Sequence, residues 1–214
     1  MIGSTINDLK YGHINWGPYV MKTQMPKYII KKLLVEGKKT KESYNSKLAG
    51  HLKYQYLYPA NIQKWFYQEI HPIITAYRKG HCKYHGLEDL SVEMIADDLW
   101  VNYMKPGDFN PKHTHGGDYS FVLFLDSPKE LEKEAKEFEG TSVQPGSLLF
   151  EYTQQARPRW STTGASAFPE TGDFYMFPAL LQHWVCPFKS KVTRISVSGN
   201  LRIVNWDKLP RDYF

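Results

Sequence analysis

The sequence predicts an α+β fold, with a mainly helical N-terminal region over 1–94 and an antiparallel β sandwich or barrel over 95–206. Three observations lead there. Apolar residues recur at helical spacing before about residue 90 and in short, strand-length runs after it. Gly and Pro punctuate the second half at Pro106-Gly107, Pro145-Gly146, Gly172, Pro178 and Pro187. The chain also carries 6 Trp, 15 Tyr and 11 Phe, and rings favour strands and binding clefts.

The elements follow in order. Pro26 opens a helix through Glu36, with Ile29, Ile30, Leu33 and Leu34 on one face and Gly37 fitting its end. Asn61 starts a second helix through about Tyr77, burying Trp65, Ile70, Ile73 and Ile74; Pro72 predicts a kink or break and Gly80 a stop. Strands are predicted at Ile95–Met104, Tyr119–Leu125, Ser147–Thr153, Asp173–Phe177 and Val192–Val204. The run Tyr119-Ser-Phe-Val-Leu-Phe-Leu125 is almost wholly apolar, as in a strand covered on both faces. Lys129–Glu139 alternates Lys and Glu and reads as a solvated helical excursion. Residues 154–170 read as a long loop carrying Arg157, Arg159 and Trp160.

Composition narrows the function class. At 214 residues the chain is long enough for one domain with a real core, which is the organisation expected here. Only Cys82 and Cys186 are present, which excludes a disulfide scaffold. The polar N-terminus and the lack of a long apolar run predict no signal peptide and no membrane helix, hence a cytoplasmic protein. The net charge of +5 admits an anionic ligand or nucleic acid without requiring either.

Histidines carry the chemistry. Of the eight, His13, His51, His71, His81 and His85 show no convincing ligand spacing, and His81-Cys-x-x-His85 reads as a local loop. His113-Thr-His115 is different. It sits in a turn between predicted strands, and residues two apart in an extended segment project to the same side. Together with His183 it could form a three-ligand metal site with open positions, the mark of a catalytic rather than a structural metal. The competing reading is a polar turn plus one strand-end histidine. Eleven positions after His183 stands Arg194, which begins an alternating strand. Arg194, Ser196, Ser198 and Asn200 share one face; Ile195, Val197, Gly199 and Leu201 share the other. The apolar set belongs to the core, and the polar set faces water or a polar pocket. A guanidinium with a neighbouring hydroxyl suits a carboxylate.

This ordered set resembles the Fe(II)- and 2-oxoglutarate-dependent oxygenases, whose pattern is His-x-Asp/Glu, a distal His, and an Arg about ten residues on. Asn102-Tyr-Met-Lys-Pro106-Gly107 is similar to the Asn-x-Tyr-x-Pro-Gly of their repair-demethylase branch, with Met104 in place of that Tyr. The closest resemblance is to an uncharacterised group found in phage and marine bacterial genomes. Trp100-Val-Asn102, His113-Thr-His115, Gly146-Ser-Leu-Leu-Phe150, Phe177-Pro178 through His183, and Arg194-Ile-Ser196 carry it, over about residues 95–204.

The resemblance implies a double-stranded β-helix (jelly roll) braced by the N-terminal helices on its outer sheet. It implies Fe(II) held by His113, His115 and His183, with Asp118 as the alternative to His115. His-x-His is preferred because the interval from His113 to Ser120 is similar to that in the family. 2-Oxoglutarate would pair with Arg194 and Ser196, helped by Asn102, and O2 would complete the reaction. A hydroxylase releasing succinate and CO2 is thus expected, acting on a small molecule or a protein, with Trp160, Arg157 and Arg159 as substrate contacts. Nucleic acid is a less favoured substrate. A cupin-like metal enzyme without 2-oxoglutarate, or a non-catalytic jelly-roll module, would leave Arg194-Ile-Ser196 or the histidine convergence without a purpose.

Overall fold

The structure, a computed structural model, describes residues 17–89, 92–152 and 164–204. Its elements are β1 (Met21–Gln24), α1 (Lys27–Lys39), β2 (Tyr54–Leu57), α2 (Ala60–His85), β3 (Met94–Met104), β4 (Asn110–His113) and β5 (Tyr119–Asp126). They continue with α3 (Lys129–Lys136), β6 (Leu148–Glu151), β7 (Gly164–Ala167), β8 (Asp173–Pro178), β9 (Gln182–Val185) and β10 (Arg194–Ile203).

Two antiparallel sheets result. One has six strands in the order β1-β8-β5-β10-β3-β2, the other four in the order β4-β9-β6-β7. From β3 onward the chain crosses repeatedly between the sheets, which is the winding of a double-stranded β-helix. The α+β class and the jelly roll are therefore as expected.

The pleat decides what each face of the six-stranded sheet meets. Phe121, Leu123, Phe174, Met176, Leu99, Val101 and Val197 point to the helical side, joining Ile29 and Leu33 of α1 and Ile62, Phe66, Ile70 and Tyr77 of α2 in one core. Phe124, Tyr175 and Phe177 point the other way, meeting Leu148 and Phe150 of the small sheet. This explains the continuous apolar run of β5, which is covered by helices on one face and by a sheet on the other. Phe66 is fully buried and lies 5.8 Å from the Phe121 ring. Phe66→Ala is expected to cost about 3–5 kcal/mol in urea unfolding. A loss below 1 kcal/mol would mean that α2 contributes little to the core.

Several expectations are corrected. Besides its two helices, the N-terminal region contributes β1 and β2, which the sequence did not announce and which extend both edges of the six-stranded sheet. Gly37 and Gly80 are not stops. Both lie inside helices where a Cβ would come within 2.9 Å of the Tyr58 hydroxyl and within 2.2 Å of the Tyr19 hydroxyl, respectively. The stop of α2 is Gly86, in the left-handed conformation at φ 69°. Pro72 does not break α2. It stands on the exposed face, where water can meet the carbonyl it leaves free, while Ile70 and Tyr77 anchor the helix on either side. His81 and His85 lie one turn apart at the end of this helix rather than in a loop, with ring centroids 4.5 Å apart.

The lysine–glutamate excursion is more than a solvated helix. Leu131 and Ala135 of α3 are buried, and Leu131 packs with Phe188. Glu134 accepts hydrogen bonds from the backbone N–H groups of Lys189 and Ser190, both at 2.8 Å. This pins the turn that leads into β10.

Candidate metal centre and anion pocket

Strand pairing brings distant histidines together. His113 ends β4, and its register partner on β9 is His183, which in turn pairs with Phe150 on β6. His113 thus closes a strand instead of sitting in a turn. The chain then bends, and the His115 N–H donates to the Ala179 carbonyl at 2.9 Å, which turns the second imidazole back toward the first. The ligand atoms of His113, His115 and His183 all lie within 4.8 Å of one another. Among the described residues this is the one such group of three.

The rings are oriented for a shared ion. Nδ1 of His113 donates to the Pro111 carbonyl at 2.7 Å, and Nδ1 of His183 to the Leu181 carbonyl at 2.9 Å. A carbonyl can only accept, so each Nδ1 carries the proton and each Nε2 presents its lone pair. Nε2 of His183 lies 3.2 Å from Nε2 of His115. Two nitrogens bound cis to one ion at about 2.1 Å are roughly 3 Å apart, so the spacing fits. Burial, together with the neighbouring imidazoles, pushes the His115 pKa down to about 3 and that of His183 to about 4. Burial also lowers His113, against the opposing pull of its backbone hydrogen bonds. All three imidazoles are therefore neutral at neutral pH, each able to offer a lone pair to a metal. Phe177 packs against His183 at 4.7 Å, and Trp100 lies 5.9 Å from His115.

Asp118 stands elsewhere. Its carboxylate accepts from the Ile203 N–H at 2.6 Å, and its own N–H donates to the Leu201 carbonyl, so it ties the β4–β5 connection to the end of β10. It is outside the histidine group. Asp118→Asn is expected to leave metal affinity within about twofold and to cost ~1–2 kcal/mol of stability. A large loss of metal with unchanged stability would restore Asp118 as a ligand.

The alternating face of β10 lines the same cavity as the histidines, with Arg194, Ser196 and Ser198 facing in beside Asn102 and Trp100. Arg194 is 3% exposed. One Nη donates to the Gly146 carbonyl at 2.5 Å, the other to the Met104 sulfur at 2.8 Å, and Nε has no partner. Phe124 and Phe188 flank the guanidinium at 5.3 and 5.9 Å. Burial lowers its pKa to about 10. No carboxylate pairs with it among the described residues. A buried cation in that condition is costly unless an anion joins it. Met104, which departs from the tyrosine of the repair-demethylase pattern, supplies a soft acceptor to this guanidinium.

Asn102 pairs in register with Ser196, and its Nδ2 lies 3.4 Å from the hydroxyls of both Ser196 and Ser198. Its Oδ1 accepts from Gln55 Nε2 at 2.8 Å. Gln55, on β2 and 1% exposed, was not singled out in the sequence. A glutamine inside a four-residue strand carries no local signal, and only the pairing of β2 with β3 places it. Trp160, Arg157 and Arg159 lie outside the described residues.

Residues 98–200 match a family model described as "Putative 2OG-Fe(II) oxygenase". No curated protein matches the sequence. Solved structures share the fold. The viral collagen prolyl hydroxylase of Paramecium bursaria Chlorella virus-1, a 2OG complex, is 16% identical with a TM-score of 0.55, covering 88% of this chain and 98% of its own. HygX of Streptomyces hygroscopicus, with nickel, 2-oxoglutarate and hygromycin B bound, is 8% identical with a TM-score of 0.57, covering 89% and 84%. A prolyl hydroxylase of Trichoplax adhaerens, in complex with a hypoxia inducible factor peptide fragment, is 9% identical with a TM-score of 0.53, covering 89% and 84%.

Proposed function

We propose that the chain is an Fe(II)- and 2-oxoglutarate-dependent oxygenase, a reading supported by the match of residues 98–200 to the 2OG-Fe(II) oxygenase family model, and that its own residues serve the reaction as follows. His113, His115 and His183 hold the metal through Nε2. When bound, Fe(II) with 2-oxoglutarate and O2 supplies the oxidising power to hydroxylate a substrate, with succinate and CO2 as co-products. Arg194 and Ser196 receive the 5-carboxylate of 2-oxoglutarate, with Asn102 beside them. The observation that carries this reading is Arg194, a buried guanidinium with an unpaired Nε in the cavity that also holds the histidine group.

The residues fit the cofactors chemically. Three neutral imidazoles leave the full charge of the metal in place, which favours an anionic chelate. The Arg194 fork offers two-point recognition of the distal carboxylate. Phe124, Leu148 and Phe177 give the cavity apolar walls. α1 and α2 pack on the outer face of the six-stranded sheet and share its core, which supports a single domain over 1–214. The peptide of one structural relative and the hygromycin B of another indicate that this fold serves varied substrates, and a small molecule or a protein side chain is proposed here. No described helix is long and apolar enough to cross a membrane. A cytoplasmic location is proposed.

The test is spectroscopic and catalytic. Anaerobic protein given Fe(II) and then 2-oxoglutarate is expected to develop a visible charge-transfer band, and on admitting O2 to release succinate even without added substrate. Metal binding without the band would favour a cupin-like enzyme that does not use 2-oxoglutarate. Absence of metal binding would favour a non-catalytic module.

A further inference from the structure

We infer that Gln55, backed by Asn45, sets the hydrogen-bond polarity of the cosubstrate pocket, making it selective for a carboxylate over the corresponding carboxamide. The inference rests on the reading that Arg194 and Ser196 receive the 5-carboxylate of 2-oxoglutarate.

A chain of side-chain amides leads into the pocket from β2 and the turn before it. Asn45 Nδ2 lies 2.5 Å from the Leu52 carbonyl oxygen and 3.4 Å from Gln55 Oε1. Gln55 Nε2 donates to Asn102 Oδ1 at 2.8 Å, and Asn102 Nδ2 reaches Ser196 and Ser198. Amide oxygen and nitrogen have nearly the same shape, so their orientation is decided by partners. The decision here starts at Leu52. A backbone carbonyl can only accept, so the Asn45 atom beside it must be nitrogen. Ser43 Oγ donates to the other end of Asn45 at 3.2 Å, which agrees. The Gln55 atom next to Asn45 is then oxygen, its nitrogen faces Asn102, and the Asn102 nitrogen faces the two serines. Ser196 Oγ and Ser198 Oγ thereby accept, so their O–H groups are free to donate into the cavity beside Arg194. Arg194 and the two serine hydroxyls therefore present hydrogen at this end of the pocket, as a carboxylate requires. A carboxamide would bring its own N–H groups against these donors.

Gln55 is argued as a positioning residue, because its amide nitrogen is spent on Asn102 Oδ1 and its effect on the carboxylate passes through Asn102 and the two serines. Its removal leaves Asn102 free to flip and to turn an oxygen toward the serines, whose hydroxyls would then rotate toward that oxygen. The flip costs affinity for an anion and relieves the penalty on an amide.

The experiment uses the full chain with Mn(II) bound, titrated calorimetrically with 2-oxoglutarate and separately with N-oxalylglycinamide, an open-chain stand-in for its 5-amide, because the 5-amide itself closes onto the 2-keto group. Gln55→Leu is expected to weaken 2-oxoglutarate about tenfold while N-oxalylglycinamide stays within about twofold, collapsing the preference between them. Asn45→Leu, which removes the anchor one step farther out, is expected to move the same ratio in the same direction by a smaller factor. Equal weakening of both ligands would mean a general structural role and overturn the inference, as would an unchanged ratio in both variants. Arg194→Met serves as the internal control. If it loses 2-oxoglutarate and Gln55→Leu keeps the ratio, only the polarity relay fails. If the wild-type protein takes up no 2-oxoglutarate, or Arg194→Met binds it normally, the underlying reading fails and the relay with it.

Discussion

Arg194→Met is expected to abolish 2-oxoglutarate binding without destabilising the ligand-free protein. On the proposed reading the guanidinium offers the carboxylate charge-assisted hydrogen bonds from a buried position, each worth about 1.5–3 kcal/mol, so losing two of them predicts a 100-fold or greater rise in the dissociation constant. The effect on folding has the opposite sign from the usual buried-residue substitution. Burial lowers the Arg194 pKa from 12.5 to about 10, a cost of about 3 kcal/mol for holding the charge there. Its return contacts are the Gly146 carbonyl and the Met104 sulfur, with Nε unpaired. Methionine fills similar space among Phe124, Phe188 and Met104 and carries no charge to desolvate. The ligand-free variant should therefore match the wild type or exceed it by ~1–2 kcal/mol in urea unfolding. Calorimetry and unfolding on one preparation check both halves. Binding within fivefold of wild type, or a stability loss above about 2 kcal/mol, would refute this account of the arginine.

His183→Ala is expected to have the largest effect on the metal. His183 is 5% exposed, its Nδ1 is fixed by the Leu181 carbonyl, and its Nε2 meets that of His115. Groups that only orient a ligand cost 10–100-fold in metal affinity when removed, so loss of a ligand should exceed about 100-fold. Turnover should fall to background, and the visible band with 2-oxoglutarate should vanish. Because the ring packs against Phe177 and Phe150, the variant should also lose a few kcal/mol of stability, about what a truncated buried ring costs. Metal content of the folded variant, measured after dialysis against a defined Fe(II) or Mn(II) concentration, separates the two effects. Near-stoichiometric metal in folded His183→Ala would remove this residue from the ligand set.

Much of the architecture was legible because it is written in local periodicity. The long strands β3, β5 and β10 bury whole faces, and the apolar run at Tyr119–Leu125 announces burial on both sides. The five strands that escaped notice, β1, β2, β4, β7 and β9, have four residues each. Two periods of alternation are too few to stand out from a loop. The misread glycines have a related cause. At Gly37 and Gly80 the absent side chain makes room for Tyr58 and Tyr19, tyrosines distant in sequence. Local composition cannot separate that use of glycine from a helix stop.

By itself, the sequence determined the class of the fold, the strand that carries Arg194 and Ser196 on one face, and the order of the histidines along the chain. These follow from the alternation of side chains along a strand and from the residue types themselves. The tertiary structure decided which of these groups meet. It set His113 opposite His183 through the pairing of β4 with β9, and turned Asp118 away to the end of β10. It buried Arg194 without a counter-charge among the described residues, and it brought Gln55 from outside the matched domain to the amide of Asn102. Hydrogen-bond partners far apart in sequence leave no periodic trace, and the cost of burying a charge exists only once the sheets have closed around it.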